Sequence, residues 1–259
     1  VMNGTGTLTS GSSTLNNFTT SGGGTITLAN ATHTIAGNLN LGATGLTAGT
    51  SIVSMTGAGK TIDGGGKTLS GLTIGNTTGT ISLQNTDLIV SGVLTTNSGG
   101  GSLTINTGRT LTNTSATNAN NDGTITGAGT GTLTFTDVSG GPDSNANSTG
   151  TYSSIVRFDA TAANIASTTF DARTYAGVVE LYSNSATAKT VSCADNTTYT
   201  TTGATSHLNL LAAGVGDISL LCDTATDPTI TIGGNLDYTG GGAGNETITT
   251  GAGTWTVGG

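Results

Sequence analysis

Short apolar clusters alternate with small polar residues along the whole chain. The segments Thr25-Ile26-Thr27-Leu28, Thr132-Leu133-Thr134 and Thr229-Ile230-Thr231-Ile232 show the pattern, in which every second residue is apolar. Such alternation is typical of a β-strand with one buried face, and Thr, Ile and Val also favour strands. No stretch shows helical periodicity over three turns. The pattern therefore predicts an all-β protein built from many short strands.

The strand segments recur along the chain at a roughly constant spacing. Val179-Glu180-Leu181-Tyr182 matches Leu208-Asn209-Leu210-Leu211 29 residues later, and Leu236-Asp237-Tyr238 follows after another 28. Three strands of about five residues, with the turns between them, fill such a period and form one coil. Successive coils would stack about 4.8 Å apart. One coil cannot bury its inner face alone, but stacked coils share a continuous core. The spacing predicts a right-handed parallel β-helix (β-solenoid) with roughly three strands per coil and about nine or ten coils.

Tandem glycines, such as those at 22–24 and 64–66, fit the sharp corners of such coils, because glycine tolerates positive φ. We predict one continuous solenoid over residues 1–259, with regular coils over 1–138, an exposed loop near 139–154 and longer coils over 155–259. The strand pattern is already present at the first residues and continues to the last ones. This favours a piece of a longer or processed polypeptide.

Composition narrows the classes of function. The net charge is −8 with only 6 Lys and Arg, so the chain lacks the basic surface that nucleic acid or an anionic membrane requires. No apolar run reaches transmembrane length. Hydrophobic residues make up 33% and aromatic residues 4%, which suits a thin, long core better than a compact sandwich. The low Lys count and the Thr/Asn/Gly surface favour a secreted or cell-surface protein.

Three phrases carry a resemblance to known proteins: Gly49-Thr50-Ser51-Ile52-Val53, Gly57-Ala58-Gly59-Lys60-Thr61-Ile62 and Gly253-Thr254-Trp255-Thr256-Val257-Gly258-Gly259. They resemble the Gly/Thr/Ser-rich β-helix repeats of large bacterial surface proteins, such as autotransporter passengers and filamentous adhesins. The resemblance extends over nearly the whole chain. It lies in the Gly/Thr/Ser-rich character of the repeats and includes no signature motif. It implies a surface, fibre or adhesion role and no catalytic residue.

Cys193 and Cys222 are 29 residues apart, the same spacing as the neighbouring strand segments. On adjacent coils about 4.8 Å apart, their Cα atoms would lie within the range that a disulfide accepts. A cross-coil disulfide, which would fit an oxidising compartment, and a pair of stacked buried thiols are both consistent with this spacing. Metal binding by two cysteines without a nearby histidine is not expected.

Glu180, Asn209 and Asp237 occupy equivalent places in successive repeats and predict a polar column on an outward face. The two carboxylates would lie roughly 9.6 Å apart, at the edge of the spacing that inverting glycosidases use. No Lys, Arg or His accompanies the column in sequence, which favours a solvated polar ladder over a carbohydrate-active site. The same column is the candidate for a carbohydrate-binding surface.

Asx residues alternate in two segments and are candidate calcium ligands, although the bidentate Glu expected at position 12 of such a loop is missing. The candidates are Asn118, Asn120, Asp122, Asp143, Asn145 and Asn147. Asx-rich turns are also common for local hydrogen-bonding reasons. No other cofactor is expected.

Thr-x-Thr segments are a further candidate surface. Those at 198–200, 229–231 and 254–256 are expected on consecutive coils, and others lie at 25–27 and 132–134. Two outward threonines per coil resemble the surface of ice-binding solenoids, although threonine is also a common residue in exposed strands. Of the two histidines, His33 has inward parity near a corner, and His207 is expected to be exposed.

The sequence therefore predicts a structural or adhesive module of an extracellular fibre or filament, not an enzyme. Open solenoid ends present unpaired strand edges, so self-association or continuation end to end is expected. Surface glycans are possible partners, whereas nucleic acid and membrane insertion are not expected. A carbohydrate-active or carbohydrate-binding β-helix is the first alternative, and an ice-binding solenoid is the second.

Overall fold

The structure is a computed structural model that describes residues 1–42, 45–75, 78–97, 101–115, 120–121, 123–136, 151–170, 174–193, 198–203, 207–222, 229–238, 240–251 and 253–258. The chain divides into two compact units. Unit 1 consists mainly of Val1–Leu133, and unit 2 consists mainly of Thr151–Gly259 and also includes Thr134 and Phe135. The two units are described separately below.

The described residues form β-strands and contain no helix. In chain order, the strands of unit 1 are β1 (Met2–Asn3), β2 (Gly6–Leu8), β3 (Thr14–Leu15), β4 (Phe18–Ser21), β5 (Thr25–Leu28), β6 (Thr32–Ile35), β7 (Leu39–Leu41), β8 (Gly45–Thr47), β9 (Ile52–Met55), β10 (Lys60–Asp63), β11 (Lys67–Leu69), β12 (Gly71–Ile74), β13 (Thr80–Leu83), β14 (Leu88–Val90), β15 (Leu94–Thr96), β16 (Ser102–Ile105), β17 (Thr110–Asn113), β18 (Asn120–Asn121) and β19 (Thr124–Gly127).

Strand β20 (Thr132–Phe135) lies where the two units divide. The strands of unit 2 are β21 (Thr151–Ser153), β22 (Ile155–Asp159), β23 (Ile165–Phe170), β24 (Thr174–Tyr175), β25 (Val179–Ser183), β26 (Lys189–Cys193), β27 (Thr198–Thr201), β28 (Leu208–Ala212), β29 (Ile218–Cys222), β30 (Thr229–Ile232), β31 (Leu236–Tyr238), β32 (Glu246–Thr249) and β33 (Trp255–Val257). Strand β21 falls inside the loop predicted near 139–154, whose residues up to 150 lie outside the described ones.

Within each unit, paired strands are parallel and three places apart along the chain, so one coil consists of three strands. In unit 1, sheet 1 contains β1, β4, β7, β10, β13, β16 and β19; sheet 2 contains β11, β14 and β17; and sheet 3 contains β3, β6, β9, β12, β15 and β18, while β2, β5 and β8 form a small fourth sheet. In unit 2, sheet 4 contains β21, β24, β27, β30 and β33; sheet 5 contains β22, β25, β28 and β31; and sheet 6 contains β23, β26, β29 and β32. The predicted all-β parallel solenoid is confirmed, with about nine turns among the described residues.

Coil length differs between the units. Hydrogen bonds between equivalent corner positions in unit 1 join residues 20, 21 or 23 positions apart. In unit 2, comparable cross-coil bonds join residues 23 to 32 positions apart. The spacing of 25 to 29 residues seen in the C-terminal part of the sequence is therefore correct for most coils of unit 2 and too long for most coils of unit 1.

Alternation along the strands separates core from surface in unit 1. Phe18, Leu39, Ile62, Leu83 and Ile105 lie opposite one another on successive strands of sheet 1, and all are at most 3% exposed. Full burial of such a side chain contributes roughly 1.5–3 kcal/mol, so the ladder is a main source of stability. Because side chains on a strand point to opposite faces in turn, the intervening residues face solvent.

Buried aromatic rings pack against one another in the core of unit 2. Phe158 is fully buried, stacks on Phe135 with centroids 5.8 Å apart, and meets Tyr175 edge-on at 6.4 Å. Tyr175 also lies 5.8 Å from Tyr152, its partner on the adjacent strand. Of the five buried aromatic residues among the described ones, all but Phe18 lie in unit 2.

Side-chain acceptors hold the corners together from one coil to the next. Asn17 Oδ1 accepts the N–H of Asn38 at 2.7 Å, and Asn38 Oδ1 accepts the N–H of Thr61 at 3.1 Å. Asn17 and Asn38 directly precede β4 and β7, and Thr61 is the equivalent residue near the start of β10. The same arrangement recurs at other corners, where the acceptors are Asn30, Asp87, Asn164, His207 and Asp217. Many of the Asn and Asp residues are therefore explained by corner hydrogen bonding.

Asn38→Ala should lower the free energy of unfolding by about 1 kcal/mol, because the N–H of Thr61 loses its acceptor. Asn40→Ala is the matched control, since Asn40 lies outward on β7 and its side chain has no bond to any described residue. The control should change stability by less than about 0.5 kcal/mol. Urea unfolding followed by circular dichroism measures both, and equal effects would show that the corner bond does not stabilise the coil.

Candidate functional site

The predicted column lies on the outward face of sheet 5 in unit 2. Glu180 on β25 lies opposite Asn209 on β28, which lies opposite Asp237 on β31. All three side chains are partly exposed. The register that the repeat spacing predicted is therefore present.

Arg157 extends this column on β22, the strand that pairs with the strand of Glu180. The repeat spacing did not predict its place in the column. Arg157 lies opposite Glu180 in register, and its Nε and Nη2 both lie 2.7 Å from Glu180 Oε2. The guanidinium also covers the ring of Tyr182, 4.5 Å from its centroid. The expectation that no basic residue accompanies the column is wrong. The reason is the spacing: Arg157 precedes Glu180 by 23 residues, whereas the repeats that revealed the column are longer.

His207 lies beside the other end of the column and is a neutral acceptor. Its Nδ1 accepts the backbone N–H of Asn235 at 2.9 Å, so this nitrogen carries no proton and Nε2 does. The same Nδ1 lies 4.0 Å from Asp237 Oδ2, but an unprotonated nitrogen cannot form an ion pair there. His207 is half-buried rather than fully exposed, with 27% of its side chain accessible.

The column has the chemistry of a structural ladder. Glu180 and Asp237 are two strands apart, about 9.6 Å at the spacing of parallel strands. Asn209 lies between them, and its buried Oδ1 has no hydrogen-bond partner among the described residues. Glu180, only 13% exposed at its side chain, already receives two charge-assisted bonds from Arg157. An oxygen held in this way is poorly placed to deliver a proton to a leaving group.

The two cysteines lie opposite each other. Cys193 on β26 and Cys222 on β29 are register partners, as the spacing predicted, and Cys222 is fully buried. The side chain of Cys193 lies outside the described part of the structure. Register partners on parallel strands have Cα atoms close enough for a disulfide. The choice between a cross-coil disulfide and stacked thiols stays a prediction.

The predicted Thr-x-Thr surface is present in part. Thr200, Thr231 and Thr256 lie in register on the consecutive strands β27, β30 and β33 of sheet 4. The segment at 25–27 lies on β5. Thr132 and Thr134, in contrast, are 9% and 6% exposed, so the expectation that this segment displays outward threonines is wrong. Every residue of β20 is buried, on both faces of the strand.

A more regular hydroxyl surface lies on sheet 1 of unit 1. Its first column is Thr80, Ser102 and Thr124 on β13, β16 and β19, and its second is Thr61, Ser82, Thr104 and Thr126 on β10, β13, β16 and β19. Hydroxyls bond along the columns, between Thr80 and Ser102 at 2.9 Å and between Thr104 and Thr126 at 2.8 Å. These partners are 22 residues apart, so a search for the shorter period would have found them in the sequence.

His33 is fully buried in the inward ladder of sheet 3, as its parity predicted. Its Nε2 donates to the carbonyl of Ala29 at 2.9 Å, which leaves Nδ1 to accept the hydroxyl of Ser10 at 2.8 Å. Both nitrogens are therefore satisfied within the protein. His33 is a core residue that joins the corner around Ala29 to the preceding coil.

The calcium candidates lie almost wholly outside the described residues. This holds for Asn118, Asp122, Asp143, Asn145 and Asn147, and of Asn120 only the backbone in β18 is described. Within the described part of the chain, no group of three or more His, Cys, Asp or Glu side chains is arranged to bind a metal ion. No helix there has the length and apolar character needed to cross a lipid bilayer.

The comparisons with known proteins add no relative to this picture. The structure shows the parallel β-helix repeat that the sequence resemblance implied. The origin in a bacterial surface protein that the resemblance also implied stays a prediction. Neither the known protein families, nor the curated proteins, nor the solved structures include a match to this chain.

Proposed function

We propose that this chain is a structural and adhesive β-solenoid module of an extracellular or cell-surface fibre, and that a further coil covers the last coil of unit 2. The further coil belongs to another copy of the chain. The module performs no catalysis and needs no cofactor.

The observation that carries this proposal is the exposure of core positions in the last coil. Val257 on β33 lies opposite Ile232, and Tyr238 on β31 lies opposite Leu210. Ile232 and Leu210 are fully buried, whereas Val257 is 48% exposed and Tyr238 is 53% exposed. The last coil thus continues the inward ladders of unit 2 but lacks a neighbour on its outer side. Covering these side chains would contribute roughly 1.5–3 kcal/mol for each one fully buried.

The backbone of this coil supports the same conclusion. Strands β31, β32 and β33 are the last members of sheets 5, 6 and 4 among the described strands. Each has one neighbour and leaves its other edge with unpaired N–H and C=O groups, which favour pairing with another strand. Parallel coils add to such an edge without a change in geometry.

The surface of the chain suits an extracellular scaffold. Charged residues make up 8%, and the outward columns are dominated by Thr, Ser and Asn. A surface with few charges depends little on ionic strength, and its low Lys and Arg content offers few sites to trypsin-like proteases. The engagement of Glu180 by Arg157 supports the absence of glycosidase chemistry. The hydroxyl columns support the ice-binding alternative less well, because they extend over only three and four strands and their hydroxyls bond to one another.

A double variant, Tyr238→Lys with Val257→Lys, tests the stacking of coils. We expect the parent chain to form end-to-end assemblies in sedimentation velocity and negative-stain electron microscopy. The double variant should associate at least roughly tenfold more weakly, because lysine at an open edge opposes strand pairing. Val215→Lys is the matched control, since Val215 is 66% exposed in the corner between β28 and β29, one coil before the edge strands.

Circular dichroism establishes that all three proteins are folded. A parent chain that stays monomeric up to its solubility limit contradicts the stacking proposal. So does an equal loss of association in the Val215→Lys control, because the effect would then come from added charge rather than from the last coil.

A further inference from the structure

A groove lies on one corner of unit 1, between the strands of sheet 1 and those of sheet 2. Its volume is about 590 Å³, within the range of small-molecule sites, and it is lined by Gln84, Asn85, Asn106, Thr107, Arg109 and Ala128. These residues come from three successive coils, directly after β13, β16 and β19. The groove is separate from the column of sheet 5 and from the last coil of unit 2.

Unequal corner lengths account for the groove. Leu83 is in register with Ile105 before the corner, and Leu88 is in register with Leu111 after it. The corner after β13 is therefore one residue shorter than the next one. Asn85 makes this tighter turn in the left-handed region, with φ 62°, a conformation that Asn tolerates better than most residues. A short corner beside a longer one leaves a recess between them.

The short corner is fixed by its own hydrogen bonds. Asn85 Nδ2 donates to Asp63 Oδ2 at 3.2 Å, and the Thr86 hydroxyl donates to Asp63 Oδ1. Arg109 Nη1 reaches back from the next coil to the carbonyl of Asn85 at 2.8 Å. The backbone that forms one wall of the groove is thus held from both neighbouring coils.

Polar groups without partners surround the groove. No described residue bonds to Nε or Nη2 of Arg109, whose side chain is 32% exposed. The amide side chains of Gln84 and Asn106 likewise have no hydrogen-bond partner among the described residues. The groove therefore combines free N–H donors on the guanidinium with two amides that can each donate and accept.

The charges at the groove favour an uncharged ligand. Arg109 Nη1 lies 3.6 Å from Asp87 Oδ1, so the guanidinium already has a counter-charge. An anion would gain little from this arginine and would be repelled by Asp87. Sugar hydroxyls are neutral and both donate and accept, and so they complement amides and guanidinium N–H groups. No aromatic ring lines the groove, so stacking contributes nothing.

We propose that this groove binds a neutral sugar residue of a glycan. The inference deepens the proposed adhesive function, on which it rests, by naming the class of ligand and the residues that recognise it. Arg109, Gln84 and Asn106 supply the hydrogen bonds, and Ala128 leaves the space that the sugar ring occupies.

The test measures binding of hexasaccharides from cellulose, chitin, xylan and mannan to the full chain by saturation-transfer NMR and calorimetry. A hexamer of polygalacturonate serves as the acidic comparator. We expect at least one neutral hexasaccharide to bind. Arg109→Gln should weaken that binding roughly tenfold, and Ala128→Trp should abolish it by filling the groove.

Two control variants isolate the groove. Ala58→Trp places the same bulk at another exposed corner of unit 1, and Lys67→Gln removes a positive charge outside the groove. Both should bind like the parent. The proposal is overturned if no neutral hexasaccharide binds, if the acidic hexamer binds more tightly, or if Ala128→Trp retains full affinity.

The same samples separate this inference from the proposed function. Sedimentation velocity reports coil stacking, and neither Arg109→Gln nor Ala128→Trp should change it. A chain that stacks but binds no neutral hexasaccharide refutes the groove alone. A chain that binds a hexasaccharide but stays monomeric refutes the stacking and leaves the groove in place.

Discussion

Gly65→Ala should destabilise unit 1 by about 2–5 kcal/mol, whereas Gly66→Ala should cost only about 1–2 kcal/mol. Both glycines have left-handed backbone conformations, with φ of 59° and 64°, and an L-residue there costs roughly 1–2 kcal/mol. They differ in what surrounds them. A Cβ on Gly65 would lie 1.9 Å from the carbonyl oxygen of Leu41 in the preceding coil, whereas a Cβ on Gly66 would have nothing within 4 Å. Backbone cannot yield as a flexible side chain can, so the clash adds a further penalty of about 1–3 kcal/mol or more.

Gly66→Ala is therefore the control for backbone conformation, and the difference between the two variants isolates the contact between coils. Urea unfolding measures the stabilities. Hydrogen exchange followed by mass spectrometry should localise the loss of protection to the coils next to Gly65, because each coil contacts only its neighbours. Equal destabilisation by the two substitutions would contradict the close approach of Gly65 to Leu41.

Phe158→Ala should destabilise unit 2 by about 3–5 kcal/mol. The ring is fully buried and lies against Phe135 and Tyr175, so its removal leaves a cavity and also breaks two aromatic contacts. Phe158→Leu, which keeps most of the volume, should cost clearly less. The fluorescence of Trp255, the only tryptophan of the chain, reports unfolding of this unit.

Tyr182→Ala provides the matched control for Phe158→Ala. Tyr182 is an aromatic residue on the next strand of the same sheet, but it faces outward and its ring lies beneath Arg157. Its removal should cost about 1 kcal/mol, the value of a partly exposed cation–π contact. A cost for Tyr182→Ala as large as that for Phe158→Ala would mean that the assignment of inward and outward faces on sheet 5 is wrong.

Repeat spacing predicted the register of sheets 5 and 6 because the inward residues recur there with little variation. The match of Val179 to Leu208, and of Cys193 to Cys222, follows from aliphatic and small residues that must stack to share one core. The same reasoning placed Glu180, Asn209 and Asp237 in one column. It failed for Arg157, since the coil between Arg157 and Glu180 is shorter than the ones that follow.

The corner acceptors were not predicted because their partners are distant in sequence. An Asn in a turn suggests a bond to its own backbone, whereas Asn38 accepts from Thr61, 23 residues further along. Local patterns cannot separate these two roles. The hydroxyl columns of sheet 1 were missed for a different reason: their period of 22 residues belongs to unit 1, and the repeats were recognised in unit 2.

The sequence by itself determined the class of fold and the division of each strand into inward and outward residues. Alternation is a local property, and the burial of one strand face follows directly from it. Only the tertiary structure decided which polar residues meet across coils. The ion pair of Arg157 with Glu180 and the groove beside Arg109 depend on corner lengths, which change by one or several residues without altering the alternation. A solenoid core tolerates such changes because each corner can project into solvent. The lengths of the corners therefore cannot be inferred from the pattern of apolar residues.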